Sequence, residues 1–195
     1  MTHFDRLVVA SKNPDKIVEV EEVLEALGLV GQIVRGLEWP DIEETEDSLE
    51  GNALLKARTV AAATGLPALA DDTGLEVAAL GGAPGVRTAR FAGPNATYAD
   101  NVARLLADLE GRDDRSARFL TAVAVVDPTT GREWTAEGSV DGVITRTLRG
   151  SGGFGYDPVF EVDGRTLAEM TSAEKHEISH RARAIQAIAR VLGQG

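Results

Sequence analysis

The chain has 195 residues, a formal net charge of −11 and no cysteine. At about 150 residues per domain, this length fits one domain or two small lobes. The missing cysteine excludes disulfide frameworks, thiol nucleophiles and Cys-ligated zinc. The acid excess argues against a general DNA or RNA surface, where a basic face supplies most of the affinity. A small anionic ligand stays open, because a pocket needs only a few placed cations. Basic residues are uneven: 16 are Arg, and the four Lys are Lys12, Lys16, Lys56 and Lys175. The start, Met1 to Arg6, lacks the charged and apolar regions of a signal peptide. The longest core-like run, Leu120 to Val126, is far below the roughly 20 residues of a spanning helix. A cytoplasmic protein without membrane contact is expected.

Leu7 to Ala10 reads as a buried strand. Asn13 then reads as an N-cap, Pro14 as the first helical residue and Gly28 as the stop. Between them Ile17, Val20, Val23, Leu24 and Leu27 fall on one helical face. A short strand is predicted around Gln32 to Arg35. Glu38 to Glu50 holds seven acids in 13 residues. A second helix is predicted from about Ser48 to Thr64, stopped by Gly65. Pro67 to Ala70 reads as a short strand ending at Asp71-Asp72-Thr73-Gly74. Gly81 to Gly93 reads as a loop. Thr97 caps a helix through Leu109, ended by Gly111. Phe119 to Val126 and Glu133 to Val140 read as a hairpin around Asp127 to Gly131, and Val143 to Leu148 as a further strand. Ser151 to Tyr156 is a glycine-rich turn. One final helix is predicted from the capping box Thr171 to Glu174 through Leu192. No repeat, linker or low-complexity tract is visible. The pattern is α/β with a mixed sheet, a single domain over residues 1–195.

Four segments carry candidate chemistry. Ser11-Lys12-Asn13-Pro14-Asp15-Lys16 sits at a strand-to-helix turn, where backbone N–H groups and the helix dipole favour anions. The bland alternative is an ordinary capped helix start. Asp71-Asp72 lies at a strand end, where functional groups of α/β sheets collect. Adjacent side chains on extended backbone point opposite ways, so one carboxylate can serve a site while the other orients its surroundings. Carboxylates without imidazoles suit Mg²⁺ better than zinc, and Asp41, Glu43 and Glu44 could add a ligand. In Gly152 to Pro158, glycines flank Phe154 and Tyr156. Either the aromatics stack on a flat ligand or they plug the core. His176-Glu177-Ile178-Ser179-His180 formally matches H-E-x-x-H, but no acid or imidazole follows as a third zinc ligand. The alternative is a polar cluster of Lys175, His180 and Arg181.

Five stretches together, SKNPDK, SLEGNALLKA, ALADDTGLEVAALGGAPGVRTARFAG, GSGGFGYDPVF and TSAEKHEISHRARA, resemble the inosine/xanthosine triphosphate pyrophosphatase family. They run in the family's order and span nearly the whole chain. The resemblance implies an elongated mixed sheet flanked by helices, with two lobes around a cleft, usually in a homodimer. It implies Mg²⁺-dependent hydrolysis of ITP, dITP and XTP to the nucleoside monophosphate and pyrophosphate. Carried over by position, Ser11, Lys12, Asn13, Pro14, Asp15, Lys16 and Lys56 would meet the phosphates. Asp72 would be general base and metal ligand, joined at the metal by one acid of the acidic stretch, taken as Glu43. Thr73 would touch substrate. Phe154 would stack on the purine beside Gly155, Tyr156 and Asp157. Lys175, His180 and Arg181 would line the base. Lys12 and Asp15 depart from the small residues common at their positions. Two other readings remain: a pyrophosphatase for other nucleotides, and a nucleotide-sensing protein without turnover.

Overall fold

Alternation along the first strand sets up the architecture. In β1 (Phe4–Val9), Leu7 and Val9 point into one apolar cluster, while Val8, like Ala10 just beyond the strand, joins a second. A strand buried on both faces needs helices on both sides. The computed structural model describes residues 3–193 and provides them. The reading of Met1 and Thr2 lies outside that range. The remaining strands are β2 (Val30–Ile33), β3 (Ala68–Val77), β4 (Pro84–Gly85), β5 (Ser116–Asp127), β6 (Arg132–Ile144), β7 (Phe160–Val162) and β8 (Arg165–Thr166). The helices are α1 (Pro14–Leu27), α2 (Leu49–Thr64), α3 (Tyr98–Asp108), α4 (Ser172–Ile178) and α5 (His180–Leu192). The sheet runs β2-β1-β3-β5-β6-β7-β8, with β4 paired to β3. It is mixed: β1 pairs parallel with β2 and β3, whereas β7 is antiparallel to β6 and β8. The α/β class with a mixed sheet is therefore as expected. No helix among the described residues is long and apolar enough to cross a membrane.

The chain folds as two compact units, each discontinuous in sequence. Of the described residues, the first contains 3–72, 121–138 and 180–193. Its sheet buries Leu7, Val9, Leu69, Val123 and Val125 against α1 and α5, and Val8, Ala68, Ala70, Ala122 and Ala124 against α2. The α2 contact is alanine-rich, with Ala53, Ala57 and Ala61 facing the sheet. Small side chains let the helix axis approach closely, and the polar residues of the same helix then reach Asp72 within β3. The second unit contains residues 73–120 and 139–179. Val102 and Leu105 of α3, with Leu109 at its C-terminal cap, pack with Leu75, Val77, Phe119, Val140, Ile144, Tyr156 and Phe160.

The capped helices match their sequence signals. Asn13 Oδ1 accepts from Asp15 N and Lys16 N, Ser48 caps α2, and Thr97 with Asp100 closes a capping box on α3. Gly28 and Gly65 end α1 and α2 in the left-handed conformation, which glycine adopts without steric cost. Several expectations need correction. β3 does not stop at Ala70 but continues through Asp71-Asp72-Thr73 to Val77. The strand expected at Val143–Leu148 ends at Ile144, as the end of β6. The β7–β8 hairpin was not anticipated, although its Asp163-Gly164 turn is a standard hairpin signal; Asp163 has φ 50°. The single last helix is two. Ser179 is extended, with φ −66° and ψ 148°, and separates α4 from α5. The physical reason is that the two halves serve different cores: Ile178 packs in the second unit, and Ala182, Ile185 and Ile188 in the first.

One close approach fixes where α5 begins. A Cβ on Gly138 of β6 would lie 2.3 Å from both His180 O and Ala184 N. Backbone cannot yield that much locally, so α5 would have to shift. Gly138→Ala is expected to cost about 1–3 kcal/mol by overpacking. His180 and Arg181, expected from the resemblance to line the base, move with the helix, so kcat/KM should fall as well. Denaturant melts paired with steady-state kinetics test this.

Candidate functional site

The pleat of β3 divides its two aspartates. Leu69 and Asp71 share the face covered by α1 and α5, and Ala70 and Asp72 the face covered by α2. Asp72 Oδ1 accepts from Lys56 Nζ at 3.0 Å and Oδ2 from Asn52 Nδ2 at 3.3 Å. Lys56 Nζ also donates to Glu44 Oε1 at 2.9 Å. Asn52 and Lys56 lie one turn apart on α2 and so share its inner face. Asn52 is fully buried, and its Oδ1 takes the backbone N–H of Glu46 at 3.0 Å, which holds the acidic segment against α2. Burial pushes the Asp72 carboxyl above its ordinary range; Lys56 and Lys16 oppose the rise and Glu44 adds to it. Burial disfavours the Lys56 ammonium, but Asp72, Asp71 and Glu44 outweigh this and raise its pKa.

Asp71 has the opposite surroundings. Its Oδ2 accepts from Lys16 Nζ at 3.1 Å and Arg181 Nε at 3.2 Å. The other side of the Arg181 guanidinium donates to Glu19 on α1. Burial would raise Asp71, but Lys16, Arg181 and Lys56 together hold it well below the usual carboxylate range. Arg181 is itself buried, against which Asp71 and Glu19 keep it firmly charged. It thus joins β3, α1 and the start of α5. His180 is buried beside it, with Nδ1 at 2.6 Å from Thr121 Oγ1 of β5.

The turn before α1 satisfies much of its own backbone. Asn13 N donates to Ser11 Oγ, and Asn13 Oδ1 accepts the first amides of the helix. An anion here would be met by Lys12 and Lys16 more than by open helix amides. Lys12 is exposed and donates to Asp41. Pro14 is the first helical residue and Asp15 lies in the first turn.

In the second unit, Asp157 is buried and organises the glycine-rich turn. Its Oδ2 accepts from Phe154 N at 2.9 Å and Lys175 Nζ at 2.5 Å. A Cβ on Gly153, where φ is +66°, would meet that oxygen at 2.0 Å, so both space and conformation require glycine. Gly155 also has positive φ, at 63°. Lys175 Nζ sits over the half-buried Phe154 ring, 5.1 Å from its centroid. Tyr156 is different. Its hydroxyl donates to Thr88 O at 3.0 Å, its ring packs in the core, and burial raises its phenol pKa. Of the two aromatics in the turn, Tyr156 plugs the core and Phe154 does not. Thr73 is half-buried on β3.

The structure therefore gathers Lys16, Asp71 and Arg181 in one cluster, Lys56 and Asp72 in a second, and Phe154, Asp157 and Lys175 in a third. Sequence reading missed Asn52 and Glu19. Asn52 carried a usable signal, four residues before Lys56 on one helix face. The acid beside Lys56 is Glu44, and Glu43 is exposed. Among the described residues, no group of three or more His, Cys, Asp or Glu converges as a metal cluster. His176 and His180 lie on separate helices, so the one-helix geometry of H-E-x-x-H is not formed. Two carboxylates sharing one ammonium do fit Mg²⁺, which commonly takes one or two protein carboxylates and completes its shell with water and phosphate.

Comparison with known proteins shows what the chain is similar to. A dITP/XTP pyrophosphatase of Bacillus licheniformis is 45% identical over 194 residues, covering 96% of this chain and 98% of that protein. A dITP/XTP pyrophosphatase of Symbiobacterium thermophilum is 48% identical over 185 residues, covering 92% and 91%. Among solved structures, a HAM1 protein from Coxiella burnetii matches with TM-score 0.85 and 42% identity over 100% of both chains. The Ham1 family model matches residues 7–191, and the chain belongs to that family.

Proposed function

We propose that this protein hydrolyses deaminated purine nucleoside triphosphates, ITP, dITP and XTP, to the nucleoside monophosphate and pyrophosphate. The observation that carries the reading is Asp72, a buried carboxylate at hydrogen-bond distance from Lys56 and Asn52, with Glu44 on the same lysine. Full-length likeness to dITP/XTP pyrophosphatases supports the substrate class.

Asp72 takes a proton from the attacking water. The water oxygen bonds to the α-phosphorus, the α–β anhydride bond breaks, and pyrophosphate leaves. A base whose pKa is raised by burial accepts that proton more readily than an ordinary carboxylate. Lys56 holds Asp72 in place and meets the phosphates, together with Ser11, Lys12, Asn13 and Lys16. Asp72 and Glu44 would hold Mg²⁺, which when bound offsets triphosphate charge and orients it for in-line attack. Phe154 stacks on the base, with Asp157 fixing the turn that presents it. Lys175 and His180 supply polar donors toward a 6-oxo group, and a 6-amino purine would leave such donors unpaired at about 1–3 kcal/mol each. Arg181 keeps Asp71 and Glu19 aligned behind this machinery. The protein works as a cytoplasmic homodimer in this reading.

The test is a panel of NTPs compared by kcat/KM with pyrophosphate detection, with and without Mg²⁺. ITP and XTP should exceed ATP, GTP and the pyrimidine triphosphates. A flat profile, or preference for a pyrimidine, would refute the substrate assignment.

A further inference from the structure

Tyr98 opens α3 and leaves a large aromatic side chain 42% exposed. Its ring lies 5.8 Å from that of Phe154, at an interplanar angle of 39°. Lys175 Nζ stands over the same Phe154 ring and is anchored by Asp157. Thus α3, the glycine-rich turn and α4 bring together two aromatic rings and one ammonium. Local hydrogen bonds hold the backbone around Tyr98. Asp100 accepts from both Thr97 N and Thr97 Oγ1, which closes the first turn of the helix. Asn101 Oδ1 takes Ala92 N, and Asn101 Nδ2 donates to Ala89 O, which ties the preceding loop to α3.

We propose that Tyr98 is a second aromatic surface for the base, and so a specificity-determining residue. The proposal rests on the reading in which Phe154 stacks on the purine. Rings tilted at 39° form an open angle, not a closed parallel stack. A bicyclic purine lying on Phe154 is long enough to meet Tyr98 as well, whereas a single pyrimidine ring covers only one wall. A tyrosine, with two side-chain torsions, supplies such area at low entropic cost. The second wall therefore favours purines by size and leaves the phosphates untouched.

The experiment uses the intact enzyme and four forms: wild type, Tyr98→Ala, Tyr98→Phe and Phe154→Ala. Calorimetry gives the Kd of IMP and, separately, of inorganic pyrophosphate; kinetics give kcat/KM for ITP and UTP. Tyr98→Ala should weaken IMP about five- to tenfold, the lower end for one base–aromatic contact. It should leave pyrophosphate binding unchanged and reduce the ITP-to-UTP preference. Tyr98→Phe, which keeps the ring, should behave as wild type. If Phe154→Ala weakens IMP and Tyr98→Ala does not, this inference falls and the parent reading stands. If neither weakens IMP, base stacking on Phe154 falls and takes the inference with it. Equal loss of IMP and pyrophosphate binding in Tyr98→Ala would mark a general structural role and overturn the proposal.

Discussion

Asp72→Asn is expected to reduce kcat by about 10³-fold or more, in line with loss of a general base that also serves the metal, while ITP still binds. The same substitution should change thermal stability little. Burial raises the Asp72 pKa, which means that the folded state disfavours its charge. An amide of the same shape removes that cost and can still accept at its oxygen from Lys56, which keeps Glu44, but its amino group then faces the Asn52 amino group, so the gain and the loss offset. An inactive enzyme with an unchanged or higher Tm would identify a group retained for chemistry at the expense of stability. Inactivity with a large drop in Tm would instead make Asp72 a structural residue. Steady-state kinetics, ITP calorimetry and a thermal melt on one preparation separate the two outcomes.

Arg181→Leu should produce the largest stability loss in the first unit. Removing one partner of a buried ion pair costs about 3–5 kcal/mol, because the opposing charge is left uncompensated. Here two acids lose a partner, Asp71 and Glu19. Lys16 remains beside Asp71 and keeps the loss from being larger. The pH dependence has a definite sign. The native pKa of Asp71 is depressed, so its contribution is full above its unfolded value near about 3.9 and is lost as pH falls through the lower native value. The gap between wild type and Arg181→Leu should therefore be widest near neutral pH and narrow below about pH 4. Urea melts across pH measure it. The double variant Arg181→Leu/Glu19→Leu should recover part of the loss, since it replaces a stranded acid by an apolar side chain. A pH-independent gap with no recovery would mean that packing, not charge, sets the effect.

Much of this fold was legible because its helices announce their ends. Asn13-Pro14, Ser48 and Thr97 open α1, α2 and α3, and Gly28 and Gly65 close the first two, each through a local hydrogen bond that needs no knowledge of the rest of the chain. The errors lie where tertiary context decides. Nothing local in Ile178-Ser179-His180 tells that Ile178 and Ala182 belong to different cores, so the break between α4 and α5 was unreadable. β3 ran past Asp71-Asp72 because Lys16, Arg181, Lys56 and Asn52 come from distant segments to satisfy two carboxylates that look like a turn signal in isolation. The candidate site follows the same division. Asp72, Lys56, Phe154 and Lys175 stand out by chemistry and by the motif. The choice between Glu43 and Glu44 depends on how one loop lies on α2, which composition does not encode. Tyr156 looked equivalent to Phe154 in the glycine-rich turn, and only the Thr88 carbonyl behind it shows that it belongs to the core.

The reaction proposed for this protein breaks the α–β anhydride bond. Phosphorus NMR of purified protein turning over ITP with Mg²⁺ tests it most directly. IMP and pyrophosphate should appear together in equal amounts, and Asp72→Asn should give neither. Release of IDP and orthophosphate, or the absence of any product from ITP and XTP, would contradict the account.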